Sequence, residues 1–258
     1  MKKLKFIIAL FFVVLSASAQ EKHAFQEGEW FKFKMSYSGF LKAGNATLEV
    51  KESRLNGKDV FHVVGKGWTS GAIKWFFKVK DRYESYIDKQ TGLPYKFIRD
   101  INEGGHTKDI EIDFDHSASL AHVNNKKNKT KNSFAIQENV QDMVSAFYYL
   151  RNNYKTETIR EGDVVSLNMF FDDENYNFKL KFLGREELST DFGVINTLKF
   201  RPYVMAGRVF KEQESLTLWV SADDNKIPLR IKADLAVGSL RADLEAFKGL
   251  KHSFKVQF

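Results

Sequence analysis

Four acidic residues alternate along one short segment, and carboxylates in such a row are ligands that hard cations prefer. Asp109, Glu111, Asp113 and Asp115 occur at every second position and are followed by His116. On a β-strand they would share one face, where oxygen ligands suit calcium or magnesium. Neighbours on that face lie about 7 Å apart, too far for several to share one ion. Pairing with lysines of a neighbouring strand is the alternative, and we predict no metal site.

Residue patterns typical of catalysis are missing from the sequence. The six histidines show neither a zinc-ligand spacing nor a helical pair, and the chain has no cysteine. Its serines lie outside any Gly-x-Ser-x-Gly motif. We therefore expect a protein that is not an enzyme and that needs no cofactor. A glycosidase needs only two carboxylates on different elements, so an enzyme acting on envelope polysaccharide stays open as an alternative.

An aromatic cluster is the main candidate for ligand binding. Trp68, Trp75, Phe76 and Phe77 lie close together in the sequence. Along a strand Trp75 and Phe77 would face one way and Phe76 the other. On a curved sheet one of these faces would line an apolar cavity or form a docking patch, suited to a lipid, a glycolipid or a hydrophobic peptide. Packing in the core or beneath a loop is the alternative, because aromatic residues dominate cores by area.

A second candidate, Arg151, lies at the end of a predicted helix. Apolar residues at helical spacing predict one amphipathic helix over residues 139–152, with Asn139 and Asp142 placed to cap its start. Arg151 could bind an anionic head group or a carboxylate. The alternative is structural, since Asp142 at the helix start and Arg151 at its end both follow the helix dipole.

Period-two alternation dominates the rest of the chain and predicts half-buried antiparallel strands. Asn56-Gly57 and Gly104-Gly105 separate alternating runs and predict hairpin turns. The lysine-rich stretch at residues 124–132 is predicted to be a solvated loop. We predict a mainly β protein with an antiparallel curved sheet, a half-barrel or barrel, and one central amphipathic helix.

The last residues also alternate. Phe254, Val256 and Phe258 resemble the aromatic-ended last strand of outer-membrane β-barrels. The closing strand of a water-soluble sheet explains the same alternation. We adopt the water-soluble sheet, and the membrane barrel stays open as an alternative.

The N-terminus predicts export. Lys2, Lys3 and Lys5 precede an apolar run, and a small-residue cleavage site follows, so residues 1–19 are predicted to be a signal peptide. Residues 20–258 would then form a single β-rich domain without a transmembrane helix, in the periplasm or associated with the outer envelope. Loss of the three lysines lowers the formal net charge from +7 to +4. A charge this small, spread along the chain, does not indicate a nucleic-acid partner.

The segment QDMVSAFYYLR at residues 141–151 resembles the central motif of exported bacterial proteins grouped as domain of unknown function 3108. Further segments that fit this family are Gly28-Glu29, Gly44, Thr91-Gly92-Leu93-Pro94, and residues 192–197, 219–221, 228–230 and 238–240. The resemblance implies an envelope protein of mostly antiparallel β structure, with no established activity and no catalytic residues. In architecture the pattern is similar to lipoprotein-carrier half-barrels and lipocalin-like barrels.

Together these observations predict a binding or carrier module for an amphipathic ligand, with Trp68, Trp75, Phe76, Phe77 and Arg151 as candidate ligand-binding residues. The alternative is an interaction protein of envelope assembly, which would bind a protein partner through edge strands or exposed aromatic residues.

Overall fold

The computed structural model describes residues 23–203, 215–235 and 237–256, so the predicted signal peptide lies outside the described residues. In these ranges the elements are β1 (Trp30–Tyr37), β2 (Leu41–Leu55), β3 (Lys58–Thr69), α1 (Ile73–Phe76), β4 (Val79–Asp88), β5 (Pro94–Glu103), β6 (His106–Asp115), β7 (Leu120–Asn125), β8 (Thr130–Ala135), α2 (Met143–Asn153), β9 (Val164–Phe171), β10 (Glu174–Thr190), β11 (Gly193–Tyr203), β12 (Leu216–Ser221), β13 (Pro228–Asp234) and β14 (Ser239–Lys248). Neither helix of the described ranges is long and apolar enough to cross a membrane.

All fourteen strands belong to one antiparallel sheet, in the order β8-β7-β6-β5-β4-β3-β2-β1-β14-β13-β12-β11-β10-β9. Each strand pairs with the next strand of the chain, except that β8 does not pair with β9. In addition β1 pairs with β14, which joins the two halves. The predicted turns at Asn56-Gly57 and Gly104-Gly105 are confirmed, and all four residues have positive φ. The prediction of a mainly β, antiparallel protein is therefore confirmed.

The sheet curves around α2, as predicted. From one half of the sheet, Ser85 of β4 donates a hydrogen bond to Asp142, the residue that precedes α2, at 2.6 Å. From the other half, Met169 of β9 packs against Ala146 of α2. In a flat sheet of this order β4 and β9 would lie about 43 Å apart, whereas a helix is about 10–12 Å wide. Only a strongly curved sheet brings both strands to one helix.

The edge strands β8 and β9 approach each other without forming a ladder, so the sheet stays open as a half-barrel. Asn175 Nδ2 donates to Ala135 O at 2.8 Å across this seam. The Phe134 and Phe170 rings also meet there, with centroids 5.9 Å apart. Side chains therefore hold the seam where backbone hydrogen bonds do not.

The concave face is filled rather than hollow around α2. Tyr148 of α2 packs with Phe25, Phe97, Ile112 and Phe170 in the largest cluster of buried apolar residues. The apolar cavity beside α2, next to Leu150 and Phe200, measures about 50 Å³. That volume is room for one or two water molecules.

The predicted start of the helix was wrong by four residues. Asn139 has a φ of +55°, and Gln141 forms a bridge with Met169, so neither is helical. Asp142 is the N-cap, and its side chain accepts from the backbone N–H groups of Val144 and Ser145. The chain therefore enters the helix from an extended segment that the helical periodicity of the sequence hides.

Two other segments differ from expectation. The predicted loop at residues 124–132 was right only for the turn at residues 126–129. Residues 124–125 and 130–132 belong to β7 and β8, because a polar edge strand can be held by its backbone ladder alone. The predicted strand near Phe254 does not form in the described residues, because β14 ends at Lys248 and Gly249 takes a φ of +71°. The Phe254 ring instead packs on Phe247, with centroids 4.9 Å apart.

Candidate functional site

A groove of about 850 Å³ crosses the ends of β3, β4, β5 and β6, and we call it the basic groove. Its lining includes the eight basic side chains Lys66, Lys74, Lys78, Lys80, Arg82, Lys108, Lys126 and Lys127, and the three acidic side chains Asp81, Asp100 and Asp109. Trp68 forms part of its wall. The groove combines an excess of positive charge with an aromatic surface.

Strand alternation places the main wall of the groove on the face that points away from α2. Ser85 of β4 faces α2, so Lys80 and Arg82 point to the opposite face. Lys66 is the cross-strand partner of Arg82, and Trp68 is that of Lys80, so both share that face. The site therefore lies outside the filled interior of the half-barrel.

Several cations of the groove have no acidic partner. Arg82 pairs with Glu84 and with Asp100, the latter at 3.4 Å, and Lys126 pairs with Glu111 at 2.7 Å. In the described part of the chain no ion pair is found for Lys66, Lys74, Lys78 or Lys80. Uncompensated lysines at one surface attract anionic groups.

Asp81 lies at the edge of the basic groove, and strand alternation places its side chain on the α2 side of β4, as for Ser85. Burial raises the pKa of Asp81 to about 6, although the backbone N–H of Asn102 donates to its carboxylate at 3.1 Å. As the pH falls through this value the carboxylate takes up a proton. This change takes place on the opposite side of β4 from Lys80 and Arg82.

The aromatic cluster lies beside the basic groove, and of its four members only Trp68 is on a strand. Trp75 and Phe76 belong to α1 and each is 89% exposed, Phe77 is about half exposed, and Trp68 near the end of β3 is partly exposed. The predicted alternation of Trp75, Phe76 and Phe77 on a strand was therefore wrong, and so was the alternative that all four pack in the core or beneath a loop. Thr69 Oγ1 accepts from Val79 N at 2.9 Å, which closes the loop that carries α1.

Phe77 is held by a glycine of the neighbouring turn. Gly104 between β5 and β6 has a φ of +60°, and a Cβ built there would come within 2.4 Å of Phe77 Cε2. The ring therefore occupies the space that any other residue at position 104 would fill. This packing fixes the C-terminal end of the aromatic loop.

Arg151 is separate from this cluster and is 3% exposed. Its guanidinium donates to both carboxylate oxygens of Glu29, at 2.6 and 2.7 Å, and to the carbonyl oxygens of Asn225 and Ala24. The aromatic rings around it belong to Phe25, Phe31, Phe147 and Tyr148. These contacts join α2 to the N-terminal segment and to the β12–β13 turn. Binding of a head group by Arg151 stays a prediction.

Glu111 and Asp113 of the acidic row form cross-strand pairs with lysines, as the alternative predicted. Lys96 of β5 contacts Glu111 at 2.6 Å and Asp113 at 3.1 Å, and Lys126 contacts Glu111 as well. These lysines lower the pKa of Glu111. No group of three or more metal-ligating side chains is found within the described ranges.

The lysines of the basic groove were missed by the sequence analysis. Lys66 and Trp68 alternate on β3, and Lys78, Lys80 and Arg82 alternate on β4 and the residue before it. Each pattern is typical of an ordinary solvated strand face. Only the β3–β4 register, which pairs Lys66 with Arg82, would have indicated a shared cationic surface.

Solved structures include chains that are similar to this one. The chain is similar to a β-barrel-like protein of domain of unknown function DUF1849 from Brucella abortus, with a TM-score of 0.56 and 7% identity over 88% of this chain and 100% of that chain. It is also similar to a candidate exported protein with a YmcC-like fold from Bacteroides fragilis, with a TM-score of 0.32 and 10% identity over 87% of this chain and 97% of that chain. A candidate lipoprotein from Parabacteroides distasonis gives a TM-score of 0.34 and 12% identity over 88% of this chain and 98% of that chain.

No curated protein matches the chain. The family model described as protein of unknown function DUF3108 matches residues 32–245, a range that begins in β1, ends in β14 and includes α2. The resemblance carried by residues 141–151 is thereby confirmed. The chain belongs to the DUF3108 family.

Proposed function

We propose that the protein is an exported, non-enzymatic binding module of the cell envelope, and that it binds an amphipathic ligand with an anionic head group in the basic groove. One observation carries the proposal: lysines without acidic partners and the partly exposed indole of Trp68 meet along one groove of about 850 Å³, with the exposed Trp75 and Phe76 of α1 beside it. A groove of this size suits a small lipid or glycolipid.

The cross-strand pair of Trp68 and Lys80 provides both kinds of contact at one place. Side chains of directly paired residues have Cβ atoms about 5 Å apart, so the indole and the ammonium group reach the same ligand. Lys66 is on the same face of β3, two residues before Trp68. An anionic head group fits between these lysines, and an apolar tail fits against the indole and α1.

The filled interior supports a site on the outer groove rather than inside the half-barrel. The apolar cavity beside α2 measures about 50 Å³, which does not hold an acyl chain. In this respect the proposed binding mode differs from that of lipocalin-like barrels, whose ligands lie inside. The proposed location in the envelope rests on the signal-peptide pattern of residues 1–19.

Titration calorimetry with dihexanoyl phosphatidylglycerol, a lipid short enough to stay monomeric, tests the proposal. We expect saturable binding that is weaker for dihexanoyl phosphatidylcholine, whose head group has no net charge. Lys66→Gln and Lys80→Gln should each weaken binding about fivefold, since one charge contact near a surface contributes about 1 kcal/mol. Lys179→Gln on β10, an exposed lysine outside the groove, is the matched control and should bind as the wild type does.

Equal affinity for the two lipids, or equal losses in the Lys66→Gln and Lys179→Gln variants, would refute a head-group site in the groove.

A further inference from the structure

The most exposed apolar side chains of the protein gather at one end of the sheet. In the described residues, every large apolar side chain that is more than half exposed lies there: Phe40, Trp75, Phe76 and Val237, at 83%, 89%, 89% and 77%. They occupy three connections, β1–β2, β3–β4 and β13–β14, which we call the aromatic end. Exposed apolar residues collected in this way mark an interaction surface.

The register of the sheet makes these connections neighbours. β1 pairs with β2 on one side and with β14 on the other, so the β1–β2 turn lies between the other two connections. Ser38 N donates to Ser239 O at 2.7 Å, and Ser70 N donates to Ala43 O at 3.1 Å, which ties the three together. Since adjacent strands are about 4.8 Å apart, neighbouring turns lie about 10 Å apart.

The charges at the aromatic end are positive. Residues 38–42 and 70–78 contain Lys42, Lys74 and Lys78 and no acidic residue. Asp172 and Asp173 lie in the β9–β10 turn at the same end of the sheet but outside these connections, and Asp172 pairs with Arg99 and Lys108. A partner that approaches the aromatic end therefore meets cations and apolar side chains together.

We propose that the aromatic end docks on the surface of an anionic lipid bilayer, with the apolar tips inserted among the head groups. The exposed apolar side chains lie on three separate connections and do not form one flat patch. Each can therefore enter a deformable lipid layer, which needs no pocket of matching shape. Tryptophan is favoured at the bilayer interface, and a lysine near an anionic surface attracts it. The basic groove opens beside α1, so docking brings the groove to the head groups.

This proposal is independent of ligand binding, because Phe40 and Val237 do not line the groove. Flotation with vesicles made of equal parts phosphatidylglycerol and phosphatidylcholine tests it, with pure phosphatidylcholine vesicles as the comparison. We expect the protein from residue 20 onward to float with the anionic vesicles, and high salt to weaken the association. The Phe40→Ser/Val237→Ser double variant should reduce partitioning about tenfold or more. Lys42→Gln should reduce it about fivefold.

The matched control is Val164→Ser/Val194→Ser, which removes two partly exposed apolar side chains at the opposite end. It should float as the wild type does. Equal flotation with both kinds of vesicle, or wild-type flotation of the Phe40→Ser/Val237→Ser variant, would overturn the proposal. Self-association of the wild type that this variant abolishes, without flotation, would show that the aromatic end binds a second copy of the chain instead. If the variant still binds dihexanoyl phosphatidylglycerol, the groove and the docking surface are separate functions.

Discussion

Arg151→Met should destabilise the protein strongly, because it leaves the carboxylate of Glu29 buried without its partner. Glu29 and Arg151 are 122 residues apart in the chain, and their side chains are 0% and 2% exposed. Removal of one partner of a buried ion pair costs about 3–5 kcal/mol. The carbonyl oxygen of Asn225 also loses its donor. Out of a total stability of about 5–15 kcal/mol, this loss is large.

Urea unfolding of the protein from residue 20 onward, followed by circular dichroism, measures this effect. Arg54→Met is the matched control, since Arg54 pairs with Asp59 at 2.8 Å with side chains 73% and 64% exposed. An exposed pair contributes about 1 kcal/mol or less, so the control should change the free energy of unfolding by no more than that.

A double variant separates the charge from the packing. Glu29→Leu/Arg151→Met buries no charge, so it should recover part of the stability that Arg151→Met loses. Two results would refute this reasoning. One is that Arg151→Met lowers the free energy of unfolding no more than Arg54→Met does. The other is that adding Glu29→Leu to Arg151→Met lowers it further instead of raising it.

Two further predictions concern a buried carboxyl group and a turn. Burial raises the pKa of Asp142 to about 6, above the unfolded value of 3.8, so the folded state binds more protons between these values and this group's contribution to stability falls as the pH rises. The free energy of unfolding of the wild type, relative to that of Asp142→Asn, should therefore drop by up to about 3 kcal/mol between pH 4 and 6. If urea unfolding shows that this difference between the two proteins does not change with pH, the assignment is contradicted. Gly104→Ala should lower the free energy of unfolding by about 1 kcal/mol more than Gly105→Ala does. Both glycines have positive φ, but only a Cβ at Gly104 meets the Phe77 ring. Equal losses of stability in thermal unfolding would show that this contact does not matter.

Much of the fold could be predicted because its signals are local. Alternation identified strands such as β6 and β10, and Asn56-Gly57 indicated a turn where positive φ is required. Helical spacing identified α2, although its start was placed too early. The β7–β8 hairpin and the end of β14 were missed, because a polar edge strand lacks an apolar face and alternation can continue beyond a glycine that ends the strand.

The candidate site could be predicted only in part. Trp68, Trp75, Phe76 and Phe77 were identified by residue type, but their spacing indicated a strand, whereas Trp75 and Phe76 lie on a short exposed helix. Nothing in the spacing tells whether an aromatic residue is buried or exposed, because that depends on which other segment covers it.

By itself the sequence determined the strands, most of the turns and the position of the helix, since each is encoded within about ten neighbouring residues. The family followed from the order of several such segments between Gly28 and Leu240. The tertiary structure alone decided which strands are neighbours, and therefore which side chains meet. The pairing of β3 with β4 assembles the lysines of the basic groove, and the β1–β14 pair places Phe40 beside Val237. Contacts of this kind depend on register and curvature across the whole sheet, and no local pattern of residues specifies either.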